Sequence, residues 1–234
     1  MFSFNLSPET ILMYLVRLMV IFLVNPLHES AHAFAAYKLG DDTAKNEGRL
    51  SLNPLVHIDP VGSLLLLFFG FGWAKPVPVN PNNFKKKRRD MMLTAVAGPL
   101  SNLIAALLGM IALQMTGAFR EMPWLSVWSF RFADTAVSGS SIGYLYWMLY
   151  CFVDINITLC LFNMIPVPPL DGSRVLTWIL PSKAAFWVIK NTRIFYGILM
   201  LLMFTRILNI PLYYGVWYAA RGLIWLVHFL PEVM

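Results

Sequence analysis

Charged side chains are scarce in this sequence. Asp, Glu, Lys and Arg together make up 13% of the 234 residues, whereas a soluble domain carries roughly 25%. Hydrophobic residues make up 58% of the chain, and the mean hydropathy is +0.63. This composition excludes an ordinary water-soluble enzyme or binding module and predicts an integral membrane protein.

Cysteine is nearly absent, and the chain begins without the features of a cleaved leader. Cys151 and Cys160 would point in different directions on a helix and lie too far apart to bridge, so we expect both to be small packing residues. The N-terminal MFSFNLSPET has no basic residue, and no small-residue cleavage site follows the first apolar run. We therefore expect that run to be retained as a membrane span.

Long apolar segments determine the expected fold. Five of them approach the roughly 20 residues that a membrane span needs. They are residues 11–39, 91–113, 142–165, 194–210 and 213–230. A sixth stretch, residues 63–73, is too short to cross and ends among glycines, which favours a re-entrant or interfacial segment. We expect one all-α polytopic membrane domain over residues 1–234, with about five transmembrane helices, that segment and short extended or β loop elements.

Basic residues predict the orientation of the chain. Nine Lys and Arg residues lie between positions 38 and 90, including KKKRR at 85–89, whereas the connector between the second and third spans has only Arg120 and Arg131. Since cytoplasmic loops are rich in Lys and Arg, we expect the N-terminus outside and the C-terminus inside the cell membrane. A basic run directly before a span is typical of an anchor on anionic lipid, so no nucleic-acid partner is expected.

The motif HESAH, at residues 28–32, lies inside the first apolar segment. His28 and His32 are four residues apart and share one helix face, where two imidazoles can hold one metal ion. Glu29 follows the first histidine, where a carboxylate can reach a metal-bound water without binding the metal. Ionisable groups at bilayer depth are costly, and a metal would compensate them. Two structural histidines bonded to neighbouring helices are the alternative.

The depth of this motif depends on how the helix reaches it. In a helix that is continuous from residue 11, His28 lies about 25 Å along the axis, which is inside the bilayer near the cytoplasmic face. The Asn25-Pro26 pair is compatible with a helix start or with a kink in one long helix.

A third metal ligand is expected, because catalytic zinc usually has three protein ligands and one open position. Asp171 is the candidate. It lies in NMIPVPPLDG (residues 163–172), where prolines break the third span on the same side of the membrane as His28. An ordinary helix N-cap before SRVLTWIL is the alternative role for Asp171.

Four motifs together resemble the site-2 protease family of intramembrane zinc metalloproteases, peptidase family M50. HESAH matches its HExxH motif, and NMIPVPPLDG matches its Asn-x-x-Pro-x-x-x-Leu-Asp-Gly signature. AGPLSN (97–102) and GWAKPVPVN (72–80) are similar to two further family segments. These core signatures lie within residues 25–175, and residues 194–230 would be additional transmembrane helices. The resemblance is to a minimal form without PDZ or CBS domains.

The resemblance implies a role for each matched position. His28, His32 and Asp171 would bind one Zn²⁺ per chain, and Glu29 would be the general base. Asn102 and Asn163 would position the scissile peptide or stabilise the oxyanion. For Asn102, helix packing beside Gly98 and Ser101 is the alternative role. His57 would lie near the site and face the substrate, or it would be a structural loop residue.

The proline-rich loop is predicted to contact the substrate. Lys75, Pro76, Val77 and Val79 would offer backbone to an unwound substrate strand, and a simple turn between spans is the alternative. The expected function is hydrolysis of peptide bonds within or near the transmembrane segments of single-span membrane proteins in the lipid bilayer. The competing function is that of a non-proteolytic metal-binding membrane protein or transporter.

Overall fold

The computed structural model describes residues 7–116 and 141–230, and within these ranges the chain is helical with no β-strand. The α-helices are α1 (Pro8–Met19), α2 (Asn25–Lys38), α3 (Thr43–Asn46), α4 (Pro60–Phe69), α5 (Lys87–Met115), α6 (Ser141–Asn163), α7 (Gly172–Ile179), α8 (Ser182–Lys190), α9 (Thr192–Phe204) and α10 (Asn209–Val227). The expected all-α class is confirmed. The expected β elements do not appear in the described part, where residues 71–80 form an irregular extended loop.

Among the described residues, three helices are long and apolar enough to cross a membrane, and the expected number of five is not confirmed. They are Thr10–Lys38, Lys87–Met115 and Gly143–Asn163. In the same described ranges, α8 and α9, which meet at a bend of 65°, would add a fourth crossing if they act as one broken span. The expected fifth segment falls in α10, which contains Arg221 and is not among these candidate spans. Arg120, Arg131 and the N-terminus, on which the predicted orientation rests, lie outside the described residues.

The first span runs through Pro26 without a break. Between α1 and α2 lies one turn of π-helix, Val20–Val24, and the Asn25 N–H bonds to the Val20 carbonyl. A proline inside a helix removes one hydrogen bond and crowds the carbonyl four residues earlier. The wider π-turn contains that carbonyl, of Phe22, so the helix continues to the HESAH motif. Neither a helix start nor a sharp kink is therefore needed at Pro26.

Helix α5 is the centre of the molecule and contacts α2, α6, α7 and α10. The buried core between α5, α6 and α10 consists of Ala106, Met110, Leu113, Val153, Ile157, Val216, Ala220 and Val227. Small residues in this set let the helices approach closely, as is usual between helices in membranes. Gly109 faces the side chains of Val153 and Phe152 on α6. The closely packed pair of α5 and α6 is the frame of the molecule, and α1, α2, α7 and α10 each pack against one or both of these two helices.

Two arginines fix the shorter helices to this frame. The Arg17 guanidinium donates to the Leu67 carbonyl at 2.6 Å, near the C-terminal end of α4. The Arg88 guanidinium donates to the carbonyls of Thr177, Trp178 and Leu180 at the end of α7. Such bonds satisfy carbonyls that a helix end leaves unpaired. The Arg17 bond lies just before segment 71–80, and the Arg88 bonds hold the end of α7, the helix that follows segment 164–171.

We expect Gly109→Ala to destabilise the protein. An alanine Cβ would lie 2.7 Å from Val153 Cγ2 and 3.1 Å from Phe152 Cδ1, and overpacking of this kind costs about 1–3 kcal/mol. The matched control is Gly197→Ala in α9, where no atom lies within 4 Å of the new Cβ and a better helix former should be neutral or stabilising. Thermal unfolding in detergent compares the two variants, and equal stability would contradict the close α5–α6 packing.

Candidate metal centre

Three ligand atoms converge at the centre of the molecule. His28 Nε2 and His32 Nε2 lie 3.0 Å apart. Asp171 Oδ2 lies 3.3 Å from the first and 3.4 Å from the second. Ligands at about 2.0–2.2 Å around a tetrahedral zinc would be separated by about 3.4 Å. The spacing of the three atoms is therefore suited to one metal ion, as the sequence predicted for this triad.

The hydrogen bonds around the triad also fit a cation. His32 Nδ1 lies 2.8 Å from the Thr94 carbonyl, and His28 Nδ1 lies 2.5 Å from Asn102 Oδ1. If both Nδ1 atoms carry the proton, both Nε2 atoms present bare lone pairs toward each other. Asp171 Oδ2 is buried and has no hydrogen-bond partner among the described residues. Three unshared electron pairs in one small space repel one another, and a bound cation removes that repulsion.

The Asp171 carboxylate reaches the histidines because the chain reverses after α6. The segment between Asn163 and Gly172 turns back, and a Cβ on Gly172 would lie 2.5 Å from the Met164 carbonyl carbon. Only glycine allows so close a backbone approach. Asp171 occupies the N-cap position of α7, but its side chain makes no capping hydrogen bond. The structure therefore favours the ligand role of Asp171 over the N-cap role.

Glu29 shares one cavity with the three ligands. The cavity has a volume of about 550 Å³, and its wall includes Glu29, Asn163 and the loop residues Pro76, Val77 and Val79. Glu29 Oε2 accepts a hydrogen bond of 3.0 Å from the Val77 backbone N–H. A carboxylate held beside a metal site in a partly open cavity can exchange a proton with a water molecule there.

The other residues singled out in the sequence occupy different places. Asn163 lines the cavity, and its side-chain amide donates to the Leu159 carbonyl at 3.1 Å. Asn102 is fully buried behind His28 and does not line the cavity. His57 is also fully buried outside the cavity, where its Nε2 lies 2.8 Å from the Ser51 carbonyl. His57 contacts α2 through Ser30 Oγ at 3.2 Å.

The loop beside Glu29 is attached to the protein at both ends. The Lys75 N–H donates to the His57 carbonyl at 2.9 Å. The Arg49 guanidinium donates to the carbonyls of Lys75 and Pro76 at 2.6 and 3.3 Å. Sequence reasoning missed Arg49, because it follows Lys45 and Glu47 in a charged stretch and nothing in that pattern separates it from an ordinary loop residue.

Asp41 holds the far end of this loop. Its fully buried carboxylate accepts hydrogen bonds from the Asn80 N–H at 2.7 Å and the Asn83 side chain at 2.7 Å, and from Thr43. Burial by itself would raise the pKa of the Asp41 carboxyl, but these hydrogen bonds outweigh it and lower the pKa below its usual value. The ionised carboxylate therefore stabilises the loop at neutral pH, and this contribution is lost as the pH falls through the lowered pKa.

We expect Gly98→Ala to weaken metal binding. Gly98 lies on α5 directly beneath the imidazoles, and an alanine Cβ would lie 2.6 Å from His28 Cε1 and 2.5 Å from His32 Cε1. Displacing two ligands should reduce metal affinity by about 10-fold or more. Chelator competition on the purified protein measures this, with Gly197→Ala as the control. Unchanged affinity in Gly98→Ala would show that the metal lies elsewhere.

The comparisons with known proteins agree with this geometry. The family model for peptidase family M50 matches residues 14–205. The chain is 42% identical over 174 residues to "Putative zinc metalloprotease YwhC" of Bacillus subtilis, a match that covers 74% of this chain and 72% of the relative. It is 28% identical over 155 residues to "Putative zinc metalloprotease Rip2" of Mycolicibacterium smegmatis, covering 64% of this chain and 51% of the relative.

A third relative, from Methanocaldococcus jannaschii, is also named as a putative zinc metalloprotease. It is 26% identical over 177 residues, which cover 76% of this chain and 77% of the relative. No solved structure matches the chain. The family match covers HESAH, the cavity loop and Asp171 alike, and it extends over most of the chain. The chain therefore belongs to peptidase family M50.

Proposed function

We propose that this metallopeptidase is an intramembrane zinc protease that hydrolyses peptide bonds within or near transmembrane segments of single-span membrane proteins. One observation carries the proposal: Glu29 and the three ligand atoms open into one cavity beside a helix long and apolar enough to span the bilayer. A site at this depth meets peptide bonds that a soluble protease cannot reach. The family and its multi-pass character support the same conclusion.

Zinc is the metal that this donor set favours. Two imidazole nitrogens and one carboxylate oxygen, with a further position left open, form a typical catalytic zinc site. Three relatives carry zinc metalloprotease in their names. When bound, zinc supplies Lewis-acid polarisation and a more acidic water. In this proposal His28, His32 and Asp171 hold one ion per chain.

Glu29 is proposed as the general base. Its carboxylate takes a proton from the attacking water and passes it to the leaving amine. The Val77 N–H holds Oε2 at 3.0 Å, which leaves the second oxygen for the proton. Asn163, whose side chain lines the same cavity, is proposed to stabilise the oxyanion.

The cavity is proposed to lie near the cytoplasmic face of the cell membrane. His28 precedes Lys38, the last residue of the first span, by about 15 Å of helix. The segment that follows is rich in Lys and Arg, which are typical of the cytoplasmic side. The N-terminus would then lie outside and the C-terminus inside.

The loop is proposed to bind the unwound substrate as an added strand. A substrate helix hides its peptide bonds and must be extended before it can be cut. Because Pro76 and Pro78 have no N–H and the Val77 N–H is bonded to Glu29, the free strand edge is short. No described residue bonds to the Val79 N–H or to the carbonyls of Val77 and Val79. Val79 is therefore the main contact proposed for a substrate backbone.

Glu29→Gln tests the protease function. The variant keeps the shape of the side chain but cannot accept the proton, so cleavage should fall by about 10²–10⁴-fold while zinc content is unchanged. The measurement is cleavage of a single-span membrane protein by the purified, zinc-loaded protein in liposomes. If Glu29→Gln cleaves as fast as the parent protein, the competing function of a non-proteolytic metal-binding protein is supported instead.

Val79→Pro tests the substrate strand. It removes one loop N–H without touching Glu29, so cleavage of a helical transmembrane substrate should be lost and zinc affinity kept. Val79→Ala, which keeps the N–H, is the matched control. Val77→Pro is less informative because it also removes the hydrogen bond to Glu29. Full activity in Val79→Pro would contradict the substrate-binding role and favour the alternative that this loop is only a turn between spans.

A further inference from the structure

The two histidine ligands must both leave Nε2 free for the metal, and the structure fixes their protons by different means. His32 Nδ1 lies 2.8 Å from the backbone carbonyl of Thr94. A carbonyl oxygen can only accept, so His32 must carry a proton on Nδ1, and in the neutral imidazole its Nε2 is then bare. This part of the site is determined by a single backbone contact.

The partner of His28 does not fix the proton in the same way. His28 Nδ1 lies 2.5 Å from Asn102 Oδ1. A primary amide can present either its oxygen or its NH₂ group, and a rotated Asn102 would donate to Nδ1. His28 would then carry its proton on Nε2, where it could not bind a metal. Something else must therefore determine which end of Asn102 faces His28.

That determinant lies on α6. The Asn102 side-chain NH₂ donates to Asn156 Oδ1 at 2.8 Å, and the Asn156 side-chain NH₂ donates to the Phe152 backbone carbonyl at 2.8 Å. Because the Phe152 carbonyl can only accept, Asn156 must turn its oxygen toward Asn102. Asn102 must in turn direct its NH₂ to Asn156 and its oxygen to His28. The Phe152 carbonyl therefore sets the direction of every hydrogen bond in the series that ends at His28.

The surroundings strengthen this chain of hydrogen bonds. Asn102 and Asn156 are both fully buried, on the central helices α5 and α6. An amide in an apolar interior costs free energy unless it is bonded, and buried networks are strong when every member is satisfied. Asn156 has no contact with the cavity, so neither substrate binding nor the reaction explains its presence.

We propose that Asn156 is a positioning residue that, through Asn102, holds His28 in the tautomer able to bind the metal. The proposal rests on the metal centre of the proposed function, and it assigns a role to Asn102 different from contact with the scissile peptide. Helix α6 then serves the metal twice: its end leads to Asp171, and its buried face sets the proton on His28. Partners of this kind typically contribute about 10- to 100-fold to metal affinity.

The test is a double-mutant cycle read out by zinc affinity. Asn156→Leu and Asn102→Leu should each weaken zinc binding within the range of about 10- to 100-fold. Asn102→Asp should retain affinity, because a carboxylate presents only acceptor oxygens to His28. Asn156→Leu added to Asn102→Asp should then cause no further loss, since the direction of Asn102 no longer needs to be set. Thr158→Val, on the same helix, is the matched control and should leave zinc affinity unchanged.

A second measurement observes the proton itself. In the metal-free protein labelled with ¹⁵N-histidine, His28 should show a protonated Nδ1, assigned by comparison with His28→Gln. Asn156→Leu should shift His28 toward the other tautomer and leave the signals of His32 in place. This measurement needs the folded protein but neither a substrate nor proteolytic activity.

Two results would overturn the proposal. One is an equal loss of zinc affinity on Asn156→Leu in the parent and in the Asn102→Asp background, which indicates a packing role. The other is an unchanged His28 tautomer in Asn156→Leu. Neither measurement depends on proteolysis, so failure of the Glu29→Gln test would leave this inference standing, and its failure would leave the protease function standing.

Discussion

The mutual repulsion of three electron-pair donors is the constraint on which the rest of the structure depends. Two imidazole nitrogens and one carboxylate oxygen lie within 3.4 Å of one another in the interior of a largely apolar protein. The three side chains are largely buried, and no described donor bonds to Asp171 Oδ2. A cation relieves the repulsion and also offsets the cost of burying ionisable groups. The folded site is therefore coupled to metal binding.

Bringing the three donors together requires helices that approach unusually closely. Gly98 lets the imidazoles of α2 rest on α5, and Gly172 lets the chain after α6 pass against the Met164 backbone. The π-turn before Pro26 allows the first span to reach the motif as one helix. These features are local and lie far apart in the sequence, yet each removes a steric obstacle at the same site. Small residues thus determine the geometry here more than large apolar ones do.

The sequence was sufficient to predict those site residues that are marked by a fixed helical spacing or by prolines that end a helix. His28 and His32 share a face because a helix repeats every 3.6 residues, and Asp171 was identified by the prolines around it. The sequence was insufficient where a partner comes from another helix or from the backbone. Asn156 and the Val77 N–H give no pattern along the chain. The five expected spans are not confirmed, and hydropathy alone does not reveal a feature such as the 65° bend between α8 and α9.

The hydrogen bond between Val77 and Glu29 links the cavity loop to the proposed base. The loop is held by His57 and Arg49 on one side and by Asp41 on the other, so Val77 cannot move independently of its neighbours. A substrate strand that pairs at Val79 would act on the same short backbone that orients Glu29. The same loop segment would then both bind the substrate strand and orient Glu29. A bound strand would restrict that segment further, and the carboxylate would be best aligned when a peptide is in place.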